Sequence, residues 1–327
     1  MVQWLVIGIG DVTIRRVLPA ILVEPRSILR SIVTRDISKA NAYPEALPFT
    51  RLQDGLADPQ VDAVYVASPV ALHAEQAIAS LNAGKHVLCE KPMGMSFVEA
   101  QAMVSASHAA NRLLGVAYYR RLYPKLLRAK ELLSQKVVGS PLVVEANCHG
   151  GLESGERNWL QDPLMAGGGP LYDIGSHRID TCNFLLGQPI RVAGLLSNRI
   201  HDLRVEDSAS ILIDYAGCGI QSGPRAIIDV RWNSNVPRDQ FRIIGTDGEM
   251  DLDPLNGPLL RYAGREESLP SRSNTHFALI ENFVSAVLEQ GPLACKGEQA
   301  IWTDLVTQEV MNQNLGFRTP GLKRGFL

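Results

Sequence analysis

The sequence has few cysteines, few aromatic residues and no excess of charge of either sign. Only 5 of its 327 residues are cysteine and no two form a C-x-x-C pair, which argues against a disulfide framework or a structural zinc site. Scattered free thiols are typical of a reducing cytoplasm. The 32 basic and 34 acidic residues give a net charge of −2, whereas a nucleic-acid surface needs a basic excess.

Long apolar runs are also lacking. No run reaches the roughly 18 residues that a membrane helix needs, and the N-terminus has no basic flank or cleavage site typical of a secretory signal. The composition, with 46% hydrophobic and 20% charged residues, is that of an ordinary globular protein. We therefore expect a soluble cytoplasmic protein without a membrane partner. At about 150 residues per domain, the length predicts two domains.

The first third of the chain alternates short apolar runs with helical periodicity. Strands are predicted at Gln3–Ile9, Arg26–Thr34, Ala63–Ala67 and His86–Cys89. Helices are predicted at Thr13–Leu22, Leu72–Ala83 and Ser96–Asn111. Strands separated by helices of this length need crossover connections, which predicts an α/β domain with a doubly wound parallel sheet. We place this nucleotide-binding type of domain at residues 1–120.

From about residue 140 the pattern changes to consecutive strands with few helices between them. The predicted strands are Pro141–His149, Arg191–Ile200, Ser208–Tyr215, Arg225–Trp232 and Gln240–Ile244. Asp247-Gly248 predicts a hairpin turn, and two amphipathic helices follow at Ile280–Leu288 and Glu298–Asn312. Tight turns between consecutive strands favour antiparallel pairing, so residues 121–327 are predicted to form an α+β domain.

A glycine turn joins the first predicted strand to the first predicted helix. It reads Gly8-Ile9-Gly10-Asp11-Val12-Thr13, at the place where a G-x-G-x-x-G dinucleotide-binding turn belongs. Gly8 allows a tight turn, Gly10 lets the backbone approach a pyrophosphate, and the helix N-terminus favours its negative charge. An ordinary strand-to-helix turn is the alternative, but the strand–turn–helix context favours nucleotide binding.

The end of the second strand distinguishes between the two nicotinamide dinucleotides. An NAD site usually places an acid about 20 residues beyond the glycine turn, where it binds the ribose 2′-hydroxyl. Here the residues are Thr34 and Arg35, which can donate a hydrogen bond to a 2′-phosphate and pair with it. This favours NADP over NAD. Asp36 is interpreted as the N-cap of the next helix.

Two further segments carry side chains suited to catalysis. Glu90-Lys91-Pro92 directly follows the strand His86–Cys89, and ligands collect at the carboxyl ends of parallel strands. The triple glycine 167–169 leads into a predicted helix on which Asp173, His177 and Asp180 share a face. A carboxylate one turn from a histidine can orient the imidazole for proton transfer. It can also supply half a metal site, but no further ligand supports one, so no metal is expected.

Taken together, these motifs resemble the Gfo/Idh/MocA oxidoreductase family along essentially the whole chain. The motifs are the glycine turn, Ser68-Pro69 with His73, Glu90-Lys91-Pro92, and the block G-G-G-x-x-x-D-x-G-x-H-x-x-D from Gly167 to Asp180. Residues 119–124 are similar to the family's interdomain segment, and residues 243–248 to its late hairpin.

The resemblance implies an N-terminal Rossmann domain and a C-terminal domain with an open, mostly antiparallel sheet, which often forms contacts in a dimer or tetramer. It implies hydride transfer between a nicotinamide and a hydroxyl or carbonyl carbon of a sugar, polyol or related small molecule. Lys91 would be the catalytic lysine, and Asp173 with His177 the acid/base pair. Whether Lys91 or His177 carries the proton stays open, and Tyr119 and Trp159 are candidates for the substrate pocket wall.

Three residues depart from the family pattern, the first affecting packing and the other two the expected contacts with nicotinamide and sugar. Thr13 replaces a glycine or alanine, Tyr119 stands where many relatives have asparagine, and Leu160 follows Trp159 where relatives often have arginine. Three other functions therefore remain open. They are a dihydrodiol-dehydrogenase-like activity, a glycosidase that uses a nicotinamide for transient oxidation, and a non-catalytic nucleotide-binding regulator.

Overall fold

A computed structural model describes residues 1–152, 158–217 and 223–315. The chain divides into two compact units. The first unit comprises Met1–Tyr123 together with Arg272–Asp304, and the second comprises Pro124–Ser271 and the residues from Leu305 onward. The return of Arg272–Asp304 to the first unit differs from the division at residue 120 proposed from the sequence.

The first unit is built on a parallel sheet, as the sequence predicted, and this sheet has six strands. Its strands are β1 Val2–Ile7, β2 Ser27–Val33, β3 Leu47–Phe49, β4 Ala63–Val66, β5 His86–Cys89 and β6 Leu114–Val116. They lie in the order β3-β2-β1-β4-β5-β6. The order reverses between β1 and β4, and ligands bind at such a switch point in doubly wound sheets.

Helices cover both faces of this sheet because its strands are apolar on both sides. They are α1 Leu18–Val23, α2 Leu52–Leu56, α3 His73–Asn82, α4 Phe97–Ala110, α8 Thr275–Val287 and the first part of α9 Gly297–Gln313. All four residues of β4 are buried, the pattern of a fully covered parallel strand. On one face, Trp4 of β1 packs against Phe283 of α8 with 5.4 Å between ring centroids.

The second unit contains an eight-stranded, mostly antiparallel sheet in the order β14-β13-β12-β11-β7-β10-β9-β8. Its strands are β7 Pro141–Gly151, β8 Pro189–Ser197, β9 Ser208–Tyr215, β10 Arg225–Arg231, β11 Asn233–Gly245, β12 Glu249–Asp251, β13 Leu259–Tyr262 and β14 Arg265–Ser268. Its helices are α5 Pro124–Ser134, α6 Pro163–Ala166 and α7 Ser176–Leu186. The predicted turn at Asp247-Gly248 is confirmed, since Ile244 pairs with Glu249 across it.

Most predicted elements are present with ends shifted by a few residues, and two local features differ. The predicted helix from Thr13 begins as a π-helical turn, Thr13–Val17, before α1. Strands β7 and β10 pair in parallel, although the tight turns favoured antiparallel neighbours. The three-residue strands β3 and β6 have no counterpart among the predictions.

Within the described ranges, no helix is long and apolar enough to cross a membrane. Among the same residues, no group of three or more His, Cys, Asp and Glu side chains is arranged to hold a metal ion. The four cysteines in the described part of the chain are free, and Cys218 lies outside it.

Candidate active site

The glycine turn lies at the carboxyl end of β1, beside the end of β4. Gly8 has φ +91°, and a Cβ there would come within 2.9 Å of the Ala67 carbonyl oxygen. Only glycine combines this backbone conformation with so close an approach. A Cβ on Gly10 would meet no atom within 4 Å, so the backbone at this position is open to a ligand. The turn therefore fits a dinucleotide pyrophosphate.

The rest of the turn is anchored on the helical side. Thr13, at the third glycine position, is buried, so a larger residue is accommodated within the packing. The Asp11 carboxylate forms a salt bridge with the Arg15 guanidinium at 2.6 Å. The Val12 side chain is partly exposed. The Ile14 N–H donates to the Gly10 carbonyl at 3.0 Å. The helical path thus begins immediately after the open Gly10.

At the end of β2, Asp36 is confirmed as an N-cap, since its carboxylate accepts from the Ser38 N–H at 3.1 Å. Hydrogen bonds from Ser38 hold the pKa of this carboxyl below its usual range. Thr34 is buried, and its hydroxyl donates locally to the Asp36 carbonyl at 3.2 Å. Arg35 is exposed. The Lys39 ammonium approaches the Ile9 carbonyl at 3.4 Å, which adds a second cation at this edge.

His73 joins the turns that follow β4 and β5. Its Nε2 lies 2.8 Å from the Ser68 carbonyl oxygen and its Nδ1 lies 2.9 Å from the Pro92 carbonyl oxygen. The ring is buried, which lowers the pKa of His73, while the two carbonyl oxygens oppose that shift. Ser68 is also held through its hydroxyl, which donates to Gln76 at 2.7 Å. Ser68, Pro69 and His73 thus shape the sheet edge beside Lys91.

Lys91 follows β5 and is half-buried. The residue before it, Glu90, has a carboxylate enclosed by other side chains. Glu90 accepts a hydrogen bond from the Tyr65 hydroxyl at 2.7 Å and one from His276 Nε2 at 3.2 Å. Burial opposes its ionisation, but these donors and the charges of His276 and Lys91 lower the pKa of Glu90 to about 2. Glu90 is therefore an anion next to the candidate catalytic lysine at neutral pH.

In the second unit, close packing leaves no room for a side chain within the triple glycine 167–169. A Cβ on Gly168 would lie 2.5 Å from the Tyr172 ring, and one on Gly169 would lie 2.1 Å from the Glu206 carbonyl oxygen. The buried Glu206 carboxylate accepts from the N–H groups of Gly169 and Leu171 at 2.9 and 3.0 Å. A carboxylate at the N-terminus of a helical segment satisfies its free donors. This turn positions Asp173.

Asp173 and His177 lie on consecutive helical segments rather than in one regular helix. Asp173 belongs to a π-helical turn, Leu171–Gly175, and His177 is the second residue of α7. The Asp173 carbonyl accepts from the Ser176 hydroxyl at 3.1 Å, and the His177 carbonyl accepts from the Thr181 hydroxyl at 2.8 Å. His177 is buried and Asp173 is half-buried. π-Helical turns are frequent at functional sites.

A cavity of about 170 Å³ lies in the second unit next to Asp173. Its apolar lining includes Trp232, Leu160 and Ile174. Its polar lining includes Asp173, Gln161, His149 and Arg231. The cavity is lined by residues from the ends of β7 and β10, the short helix Asn158–Gln161 and the turn before α7. An apolar wall with a few polar groups is typical of a small-molecule site.

The two aromatic candidates lie in different surroundings. Tyr119, in the first unit, packs against the core, 5.0 Å from the His276 ring and 6.0 Å from the Tyr123 ring. Trp159 is half-buried on the helix Asn158–Gln161. The cavity is lined by its neighbours Leu160 and Gln161, and Trp159 is not among the lining residues.

Several residues of the site were missed in the sequence. They are Lys39, Tyr65, Gln161, Glu206, Trp232 and His276. Most act through contacts between residues far apart in the chain, so no local pattern marks them. Gln161 is the exception, because it follows the singled-out Trp159 by two positions.

A dinucleotide-shaped turn, a lysine at the same sheet edge and a histidine–aspartate pair define a class, that of nicotinamide-dependent oxidoreductases. Matches of the sequence to known protein families agree with this class. A model described as an oxidoreductase family with an NAD-binding Rossmann fold matches residues 2–118, and one for the GFO/IDH/MocA C-terminal domain matches residues 126–251. The chain belongs to the Gfo/Idh/MocA family and is an NAD(P)-dependent dehydrogenase or reductase.

Similar proteins match over most of their length. A 1,5-anhydro-D-fructose reductase from Ensifer adhaerens is 28% identical, with 93% of each chain covered. A D-xylose 1-dehydrogenase [NADP(+)] from Haloarcula marismortui is 26% identical, with 79% of this chain and 73% of the relative covered. The structure of a levoglucosan dehydrogenase in complex with NADH and levoglucosan has a TM-score of 0.85 at 21% identity, covering 97% and 98% of the two chains.

Proposed function

We propose that this protein is an NADP(H)-dependent oxidoreductase of a sugar, polyol or related small molecule. The cavity beside Asp173 is the observation that carries the proposal. Its carboxylate and amide can bind hydroxyl groups, while Trp232, Leu160 and Ile174 offer apolar surface to the C–H face of a ring. A sugar presents both kinds of surface. The relatives named above for sugar substrates support the same class.

NADP(H) is proposed over NAD(H) on the residues of this chain. Gly8 and Gly10 would hold the pyrophosphate, and Arg35 and Lys39 would bind a 2′-phosphate. Thr34 stands where a carboxylate would repel that phosphate. When bound, the cofactor accepts a hydride from the carbinol carbon or returns one to the carbonyl carbon. One xylose-dehydrogenase relative is named for NADP(+) and the levoglucosan dehydrogenase holds NADH, so the relatives do not decide the choice.

Side chains of the protein accept the substrate proton and stabilise the charge on the substrate oxygen. In oxidation, the hydroxyl proton leaves the oxygen as the hydride leaves the carbon, and the C=O bond forms. We assign proton acceptance to His177, whose imidazole is suited to transfer near neutral pH. Asp173 binds a substrate hydroxyl, and Lys91 stabilises negative charge that develops on the oxygen. Reduction follows the reverse course.

A second function is favoured by one observation. One part of the cavity wall is aliphatic and aromatic, formed by Trp232, Ile174, Leu152 and Leu160. Such a wall also suits the ring of a dihydrodiol, which carries only two hydroxyl groups. We keep a dihydrodiol-dehydrogenase-like activity as the second candidate, to be distinguished by the substrate panel below.

The test combines cofactor binding with turnover. The binding of NADPH and NADH to the purified protein is measured by calorimetry, followed by rates on a panel of aldoses, polyols, anhydrosugars and dihydrodiols. We expect tighter binding of NADPH and turnover of a sugar or polyol. Turnover of dihydrodiols alone would favour the second candidate, and binding without any turnover would favour a regulator. A protein that binds neither cofactor would overturn the proposal.

Variants test the assigned roles on whichever substrate is turned over. Lys91→Ala should lower kcat by about 100-fold or more while cofactor binding changes little, because a charge that develops in the transition state loses its partner. His177→Ala should remove the neutral limb of the pH–rate profile. If Lys91→Ala keeps its turnover, Lys91 has no part in the reaction, and a retained limb would assign the proton transfer elsewhere.

We also propose that the protein is a homo-oligomer. Leu212 and Ile227 pair across β9 and β10 and are 43% and 41% exposed, and Leu195 of β8 on the same face is 73% exposed. Contiguous exposed apolar side chains are typical of an interface. Sedimentation velocity should give a dimer or tetramer, and Leu195→Glu should dissociate it. A monomeric wild-type protein would rule this out.

A further inference from the structure

Glu90 is the centre of a hydrogen-bonded cluster that no catalytic role yet uses. Its side chain is 14% exposed. One carboxylate oxygen accepts from the Tyr65 hydroxyl at 2.7 Å and from His276 Nε2 at 3.2 Å, and the other lies 3.3 Å from the Lys91 backbone nitrogen. An ionised carboxylate only accepts hydrogen bonds, so His276 must carry its proton on Nε2.

The segment that supplies His276 is itself tied to the cofactor side of the fold. Asn274 caps α8 by accepting from the His276 N–H at 3.0 Å, and its amide donates to the Arg16 carbonyl at 2.8 Å. The Arg16 guanidinium donates to the Thr275 hydroxyl at 2.7 Å. The first turn of α8 therefore joins the helical segment after the glycine turn to the carboxylate next to Lys91.

The ring of His276 has no freedom to leave this position. The residue is 2% exposed, and the Tyr119 ring lies 5.0 Å away on one side. A buried carboxylate without donors would lose its charge, because desolvation penalises the ionised form. His276 and Tyr65 together therefore keep a fixed negative charge beside Lys91.

We propose that His276 is a positioning residue for Lys91, acting through the Glu90 carboxylate that it and Tyr65 hold in place. The inference rests on the function proposed above, in which Lys91 stabilises charge on the substrate oxygen. The anchored carboxylate accepts from the Lys91 backbone N–H at 3.3 Å and so holds the backbone at Lys91 in place for that role. Loss of the His276 donor frees the Glu90 carboxylate to move, and the backbone at Lys91 then loses its acceptor.

The experiment compares two substitutions that differ in the hydrogen bond. His276→Phe keeps an aromatic ring against Tyr119 but has no donor, whereas His276→Gln keeps an N–H near the Nε2 position. We expect kcat to fall about 10- to 100-fold in His276→Phe, with the dissociation constant of NADPH within about threefold of wild type. His276→Gln should stay within about threefold of wild-type kcat. Rates are normalised to the amount of bound cofactor, so that an unfolded fraction of the protein does not lower the measured kcat.

A second readout does not depend on turnover. Lys91 is labelled with limiting acetic anhydride and its modification is compared by mass spectrometry with that of the exposed Lys136. Because a turn that has lost its anchor opens to the reagent more often, Lys91 should label several-fold faster in His276→Phe than in wild type or His276→Gln. Ser285→Ala, on α8 but bonded to Arg26 rather than to Glu90, should change neither labelling nor kcat.

The outcomes separate this inference from the proposed function. Unchanged labelling and kcat in a folded His276→Phe would overturn it, and so would an equal loss in His276→Gln, which would mean that the ring contact with Tyr119 is what matters. If His276→Phe does not fold, Tyr65→Phe removes the other donor to Glu90 and should shift labelling in the same direction. Full activity of Lys91→Ala would instead overturn the catalytic role of Lys91, whatever the labelling shows.

Discussion

At the scale of single residues, cofactor choice depends on a few side chains at the end of β2. Arg35 is exposed and Lys39 reaches the Ile9 carbonyl of the glycine turn. We expect Arg35→Ala to weaken NADPH binding about tenfold and to leave NADH unchanged, because a charge-assisted contact to phosphate contributes roughly 1.5–3 kcal/mol. Calorimetry with both cofactors measures this. Lys39→Ala, which removes the second cation at this edge, is the matched variant. An equal loss of NADH binding in Arg35→Ala would mean that Arg35 contacts the adenine instead.

A second residue-scale prediction concerns acid stability. The pKa of Glu90 is about 2 in the folded protein against an ordinary 4.5, so its ionisation stabilises the fold above pH 4.5. That contribution is lost as the pH falls from about 4.5 towards 2, and it is on the order of 3 kcal/mol. Urea unfolding from pH 6 to 3 should show the stability advantage of wild type over Glu90→Gln shrinking with acid.

The control for this experiment is Glu45→Gln, because Glu45 is exposed. Its difference from wild type should stay flat across the same pH range. A constant gap between wild type and Glu90→Gln would contradict the prediction, since it would mean that Glu90 titrates alike in the folded and unfolded chains.

At the same scale, local motifs in the sequence indicate candidate catalytic side chains but not the side chains that surround them. Lys91, Asp173 and His177 stand in short motifs whose spacing is local, and Asp36 was predicted as a cap because capping involves neighbours. His276 lies 186 positions from Glu90 and Tyr65 lies 25 positions from it. Contacts of that range depend on the folded topology, which one sequence does not reveal.

At the scale of elements, the turn before α7 shows how packing imposes sequence. A Cβ on Gly169 would lie 2.1 Å from the Glu206 carbonyl oxygen, a backbone atom with no freedom to rotate away. Gly169→Ala should therefore lower the free energy of unfolding by about 1–3 kcal/mol, as overpacking does. It should also lower kcat, because the same turn positions Asp173. Urea denaturation and steady-state rates measure the two effects.

The matched control is Gly291→Ala, since a Cβ there would meet no atom within 4 Å. It should leave both stability and kcat close to wild type. A Gly169→Ala variant with unchanged stability would mean that the turn can open without cost, which the two hydrogen bonds to Glu206 argue against.

Among the elements that were missed are two strands of the parallel sheet. Strands β3 and β6 have three residues each, too few for a periodic pattern, and β3 contains Pro48 at the sheet edge. The parallel pair β7–β10 joins residues 82 positions apart, such as Val143 and Arg225. No turn motif in the sequence indicates a pairing of that range. Periodic helices such as α3 and α8 were predicted because their patterns are local.

At the scale of the whole molecule, the chain completes its first unit only near its end. The core on one face of the parallel sheet contains Leu279, Ile280, Phe283 and Val284 of α8 together with Trp4 of β1. The Val116 N–H of β6 donates to the Cys295 carbonyl at 3.1 Å. Residues 1–123 therefore lack part of their own core, although they include every strand of the sheet.

We expect a fragment of residues 1–123 to show no cooperative thermal transition and no NADPH binding, because Trp4 and its neighbours would be exposed to water. Fusing residues 272–304 to it through a flexible linker should restore both, because the contact between Trp4 and Phe283 is then available again. In the full chain, Phe283→Ala should lower the free energy of unfolding by about 3–5 kcal/mol. A fragment of 1–123 that folds and binds NADPH alone would show that α8 covers a core already stable without it.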